Sequence, residues 1–157
     1  MNETNLVLRE ATPDDCEDIL IWRNDPISLK MFKNSKKVTS ASHRIWFEDT
    51  LADNSKLLLL AINAQSKKIA VSRLDFCKSF NRAEVSININ PDFRGKGLGE
   101  EILNHTSRYV DLNYKNCKKL VAEIKEFNHA SRKIFERAGY KLVEKNGKYL
   151  KYINIIS

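Results

Sequence analysis

Apolar and polar positions alternate most cleanly at residues 82–90. There Val85, Ile87 and Ile89 interleave with Glu84, Ser86, Asn88 and Asn90, the period of a strand with one buried face. Pro91 ends it. Residues 6–9, 57–63, 68–77 and 118–125 read as further strands, with 64–67 as the turn between the second and third. Residues 98–114 place Leu98, Ile102, Leu103, Tyr109 and Val110 on one side of a helix. Thr12-Pro13-Asp14-Asp15 opens an earlier helix that stops at about Arg23, before Asp25-Pro26. A short helical piece follows at 27–33. Another helix begins near Thr39 or Ser40, with Ile45, Trp46 and Leu51 as its expected apolar face and Phe47 beside it. Asn128 caps a helix that runs to Ala138 and closes at Gly139. Residues 140–144 and 148–155 form a hairpin across Asn146-Gly147. The resulting order, β-α-α-β-β-β-α-β-α-β-β, predicts an α/β fold with a mixed sheet and helices on its faces.

The 157 residues fit one domain spanning 1–157. The longest apolar run, 57–62, is far short of the ~20 residues of a membrane helix, and the first ten residues show no basic start followed by an apolar stretch. A cytoplasmic protein with no membrane partner is expected. Cys16, Cys77 and Cys117 are odd in number and widely spaced, as free thiols of a reducing compartment are. His43, His105 and His129 lie far apart, and there is no C-x-x-C, so no metal site is expected. The net charge of +7 fits a Lys-rich solvated surface or a polyanionic partner. The basic residues are spread along the chain rather than clustered, which argues against nucleic acid.

The segment that carries chemistry is Asn90-Pro91-Asp92-Phe93-Arg94-Gly95-Lys96-Gly97-Leu98-Gly99, between a strand and a helix. Alternating glycines let the backbone N–H groups approach a ligand, the helix start adds its positive dipole end, and Arg94 and Lys96 add charge. These features make a pyrophosphate cradle. The P-loop spacing is absent. The dinucleotide G-x-G-x-x-G also fails, because Glu100 stands three residues after Gly97.

Arg94-x-x-Gly97-x-Gly99 resembles the acyl-CoA loop of the GCN5-related N-acetyltransferases. Asn128-His129-Ala130-Ser131, through Phe135 to Ala138-Gly139-Tyr140, resembles that family's second cofactor element. The element order is similar over nearly the whole chain. The resemblance implies a single-domain, mostly antiparallel sheet of about seven strands flanked by about four helices. Its two central parallel strands, 82–90 and 118–125, would splay apart around acetyl-CoA. A β-bulge at the splay would free backbone groups near Ile87, Asn88 and Ile89 for the pantetheine arm. Arg94, Gly95, Lys96, Gly97, Leu98 and Gly99 would hold the pyrophosphate, and Asn128 would contact the cofactor. Lys133 is either a phosphate contact or a solvated lysine.

The resemblance also implies N-acetylation of a primary amine, with a base that takes the amine's proton. Glu123 and, on the neighbouring strand, Glu84 are the candidates; Glu123 is expected to be buried at the wedge. Many relatives carry a Tyr acid where this chain has Phe135, which cannot donate a proton. Tyr140 is expected to pack in the core. In the N-terminal third, Trp22-Arg23-Asn24, His43 and Trp46 resemble the subgroup that acetylates nucleotide-linked amino sugars in the pseudaminic acid pathway, and more loosely the ribosomal-protein acetyltransferases. In the first case Trp22 and Trp46 would rim a pocket and Arg23 would meet a phosphate; core packing is the alternative for both tryptophans. His43 either orients the acceptor or caps a helix. The implied acceptor is a small nucleotide-linked amine, with a protein N-terminus or a catalytically weak CoA-binding module as alternatives. The protein is expected to be a monomer or homodimer.

Overall fold

A computed structural model of the chain describes residues 5–156, and the short helical piece expected at 27–33 is present in it as a separate helix that Asp25 and Pro26 start. Asp25 accepts from the N–H groups of Ile27 and Ser28 at 3.1 and 3.2 Å, and Pro26 at the first helical position then starts a separate six-residue helix. In chain order the elements are β1 (Val7–Glu10), α1 (Cys16–Arg23), α2 (Pro26–Met31), α3 (Ser40–Ala52), β2 (Lys56–Ile62), β3 (Lys68–Phe76), β4 (Arg82–Ile89), α4 (Gly99–Asn113), β5 (Lys119–Lys125), α5 (His129–Arg137), β6 (Lys141–Asn146) and β7 (Tyr149–Ile155). Short 3-10 turns precede α1 and follow β4.

The seven described strands form one sheet in the order β1-β2-β3-β4-β5-β7-β6. Every neighbouring pair is antiparallel except β4 and β5. Side-chain alternation sends β2 to both faces, so it reads as continuous leucine. Leu57 and Leu59 join Leu103, Val110 and Phe135 under α4 and α5. Leu58 and Leu60 join Ile19, Trp22, Phe47 and Val71 under α1 and α3.

The face of α3 differs from the expected one. His43, Phe47 and Thr50 point inward, whereas Ile45 is 62% exposed. The buried polar groups find partners: His43 Nε2 bonds to the Cys16 carbonyl at 2.9 Å and Thr50 donates to the Trp46 carbonyl at 2.7 Å. A polar group satisfied in this way is cheap to bury, so hydrophobicity alone misplaces the stripe. Likewise Thr106 on α4 is buried, bonded to Ser72 of β3 at 2.8 Å, while Tyr109 is only half-buried.

Asp15 ties the sheet to α1. It is fully buried and meets Arg9 at 2.7 and 2.9 Å, Lys68 at 2.8 Å and the Thr12 N–H at 2.8 Å. Burial opposes its charge, but the bonds from Arg9, Lys68 and Thr12 outweigh burial and hold the carboxyl well below the usual range.

Candidate active site

The parallel pairing of β4 and β5 covers only Arg82↔Lys119, Ala83↔Leu120 and Glu84↔Val121. Beyond these residues the strands separate. The β3–β4 register is unbroken from Phe76↔Ala83 to Ala70↔Ile89, so the gap opens by divergence and not by the expected bulge. The Asn90 N–H donates to the Ile69 carbonyl at 2.8 Å on the β3 side. Alternation therefore turns the backbone groups of Ile87 and Ile89 toward the gap. Those groups need a partner, and an extended chain with amide groups supplies one. Asn88 is different: its backbone faces β3, and its side chain accepts from Ser28 Oγ at 3.1 Å.

At the mouth of the gap, Gly95 and Gly97 both have φ +72°, and a Cβ at either would meet open space. Glycine serves there for its conformation. Gly99 serves for closeness: a Cβ would fall 2.6 Å from the Ile134 side chain, so the start of α4 lies directly on α5. Lys96 is exposed, with its ammonium 5.1 Å from the Phe93 ring. Leu98 sits at the α4 N-cap and packs into the apolar cluster around Ile102. Asn128 caps α5 by accepting from the Ser131 N–H at 3.2 Å and lines the cavity described below. Lys133 is exposed on α5, outside that cavity. Arg94 does not stand free for a pyrophosphate. Its guanidinium donates to Asp25 Oδ2 at 2.7 Å and to Ser28 Oγ, joining the loop to the start of α2.

A cavity of about 970 Å³ fills the gap and continues under α2 and the segment leading to α3. Glu84 and Glu123 both line it. Glu123 is exposed rather than buried, because its side of β5 opens onto the cavity; its Oε2 pairs with Lys33 Nζ at 2.6 Å. The bond from Glu123, its charge and the more distant Glu84 together hold the Lys33 ammonium above its ordinary value, against partial burial. Arg23 donates to the Asn34 carbonyl at 2.8 Å and stacks 4.1 Å from the Phe32 ring. Its Nη1 is buried with no partner, and burial pulls its pKa down. Trp46 lines the cavity under Arg73, whose guanidinium is 5.3 Å from the ring.

Trp22 is a correction. It is 4% exposed among Ile19, Phe47 and Leu58 and does not reach the cavity. Asn24 bonds reciprocally with Val38, at 2.8 Å each way, and so fixes the α2–α3 connection rather than facing a ligand. His43 borders the cavity but is 2% exposed and locked to α1 through Cys16, and burial pulls its imidazole pKa down. Phe135 lies on the cavity wall, edge-on to Tyr140 at 4.9 Å. Tyr140 is buried, and burial pushes its phenol up.

Sequence reasoning passed over Lys33, Lys125 and Tyr149. Lys125 is 6% exposed at the end of β5 and donates to the Lys30 carbonyl at 2.9 Å and to Ser35 Oγ at 3.4 Å. Burial, and then Lys148, pull its pKa down. Tyr149 is the one phenol on the cavity wall among the described residues. A lysine inside an apolar strand, in Ile124-Lys125, was the available signal. Among the described residues, no group of three or more His, Cys, Asp or Glu is arranged to hold a metal ion, and no helix is long and apolar enough to cross a membrane.

A divergent parallel pair, a glycine loop at a helix start and a capping Asn on the next helix define an acyltransferase fold of the GNAT type. The acetyltransferase (GNAT) domain family model matches residues 5–141. The chain belongs to this family, whose co-substrate is acetyl-CoA. An uncharacterized protein of Methanocaldococcus jannaschii is 26% identical over 146 residues, 91% of this chain; the chain spans only 29% of that relative's length. Spermidine N-acetyltransferase from Vibrio cholerae, solved with CoA and spermine, superposes with a TM-score of 0.85 at 18% identity, covering 96% of this chain and 95% of that one. An aminoglycoside acetyltransferase solved with coenzyme A and kanamycin gives 0.81 at 14% identity, covering 96% and 95%.

Proposed function

We propose that this domain transfers the acetyl group of acetyl-CoA to the primary amine of a small anionic acceptor, an amino sugar linked to a nucleotide. The observation that carries this reading is the charge of the cavity. Seven basic side chains line it against Glu84 and Glu123. Four of the seven, Arg23, Lys36, Lys37 and Lys125, have no carboxylate partner among the described residues. Lys125 is buried and Arg23 half-buried with its Nη1 unpartnered, whereas Lys36 and Lys37 are exposed and add only their field. A buried charge without a counter-charge is costly, and a phosphate or carboxylate on the ligand offsets that cost. Spermine and kanamycin, bound by the two structural neighbours, are polycations at neutral pH. The same walls repel such acceptors.

In this reading the glycine loop binds the pyrophosphate through its backbone N–H groups, and Lys96 adds charge there. The free backbone groups of Ile87 and Ile89 orient the pantetheine amides, and Asn128 holds the arm's other side. The thioester that acetyl-CoA supplies is the acyl donor. Glu123 accepts the proton of the acceptor's ammonium, with Glu84 the second carboxylate in reach of the same space. Phe135 donates no proton, so the acid for the leaving thiolate is water or the Tyr149 phenol. Arg23 Nη1 and Lys125 Nζ take the acceptor's anionic group. The three unbridged cysteines support a reducing, cytoplasmic setting.

The test is a split of Michaelis constants. Arg23→Ala and Lys125→Met each remove one charged hydrogen bond, about 1.5–3 kcal/mol. The KM of an amino-sugar nucleotide should therefore rise by about 10–100-fold. The KM of acetyl-CoA should stay within about threefold, and Lys125→Arg should restore much of the loss. An equal rise in both constants would contradict the assignment.

A further inference from the structure

We propose that Lys33 is itself an acceptor, acetylated by its own chain when the cavity holds acetyl-CoA and no amine. The inference rests on the acetyltransferase reading and on three observations that the reading does not use. Lys33 Nζ lies 2.6 Å from Glu123 Oε2, within the reach required of a base and the proton it abstracts. An acceptor amine must sit in this same place to be deprotonated by Glu123. Glu123 is two residues past Val121, the last residue of β5 paired with β4, so the ammonium stands at the point where the strands open. Lys33 is on the irregular segment 32–39 between α2 and α3, where a long side chain moves without disturbing a helix or strand.

The reaction balances without a further reactant. One proton of the Lys33 ammonium passes to Glu123. The freed lone pair forms the N–C bond to the thioester carbonyl carbon, and the C–S bond breaks with its electrons leaving on the CoA sulfur. The second proton, lost as the amide forms, ends on that sulfur. Overall, a lysine ammonium and acetyl-CoA give Nε-acetyl-lysine, CoA thiol and one proton. The product carries no charge at position 33, so the ion pair with Glu123 is gone and the base is left open to an incoming acceptor.

The chain supplies its own controls. Lys36 and Lys37 border the same cavity on the same segment but have no carboxylate partner among the described residues. The full chain is incubated with acetyl-CoA at pH 7 without acceptor. Intact mass is followed over time, peptides are mapped by mass spectrometry, and acetyl-CoA binding is measured in parallel by calorimetry. One acetyl group should accumulate at Lys33 at least tenfold faster than at Lys36 or Lys37. Glu123→Gln should slow it at least tenfold while acetyl-CoA still binds, and Lys33→Arg should abolish it. Equal rates at the three lysines would mean ordinary chemical acylation and would overturn the proposal. So would an unmodified Lys33 in a protein that binds acetyl-CoA, which leaves the acetyltransferase reading standing. Failure to bind acetyl-CoA would sink both.

Discussion

Gly99 was expected to bring the backbone close to a ligand, but the structure puts it against Ile134, and the two roles predict different phenotypes. A Cβ at this position would lie 2.6, 2.8 and 2.9 Å from the Cδ1, Cγ2 and Cγ1 atoms of Ile134. Three atoms of one branched side chain have to shift, and two of them are not its far end. Overpacking of this kind costs about 1–3 kcal/mol. The gain in helix propensity from Gly to Ala recovers up to ~1 kcal/mol in a helix interior and less at the first helical residue. Gly99→Ala should therefore destabilise the protein by about 1–2 kcal/mol, a fall of about 2–8 °C in Tm for a chain of this size. Truncating the obstacle should reverse the sign: in the Ile134→Ala background the added methyl should be neutral or stabilising. Urea unfolding of the four proteins gives the coupling directly. Gly97→Ala is the contrast, since a Cβ there meets open space and the strain is in φ alone; it should weaken acetyl-CoA binding more than it lowers Tm. If Gly99→Ala is as stable as wild type, or its cost is unchanged without the Ile134 side chain, the packing argument is wrong.

Two further outcomes follow from the titrating groups. Asp15 has a folded pKa held below its unfolded value, so its contribution is fully present above the unfolded pKa, about 4, and is lost as pH falls toward the folded one. Wild type should lose stability from about pH 5 downward, and Asp15→Asn, which leaves Arg9 facing an uncharged group and Lys68 with Asp18 as its remaining carboxylate, should remove about 1.5–3 kcal/mol at pH 7 and flatten that slope. The hydrogen bond with Ser79, followed by backbone bonds at Arg82, Asn81 and Ser79, brings the Cys77 thiol to about 7. Iodoacetamide should alkylate Cys77 first, with a pH midpoint near that value, while Cys16 and Cys117, both raised by burial, react slowly.

The local chemistry of this chain was legible and the long-range pairing was not. The Asn128 cap, the alternation in β4 and the glycine loop are set by residues within a turn of one another, so spacing alone reveals them. Arg94 pairs with Asp25 across 69 positions, Lys125 with Lys30 across 95, and Lys33 with Glu123 across the cavity. A motif match assigned Arg94 to a ligand because Asp25 carries no mark of its destination. The inward face of α3 was missed for a related reason: His43 and Thr50 are polar in sequence, and only their bonds to Cys16 and Trp46 make them core residues. Trp22 shows the converse, since an aromatic ring reads the same in a core as on a pocket rim.

The central claim is that the basic cavity selects an anionic amine for acetylation. Its most direct measurement is CoA thiol release from acetyl-CoA at pH 7 and fixed ionic strength, with a matched panel of acceptors: an amino-sugar nucleotide, the same amino sugar without its nucleotide, spermidine, kanamycin and a ribosomal-protein N-terminal peptide. The amino-sugar nucleotide should give the highest kcat/KM, at least tenfold above the bare amino sugar, and the polycations should be poorest. The nucleotide's advantage should shrink in Arg23→Ala. Turnover led by spermidine or kanamycin, or confined to the peptide, would contradict the account.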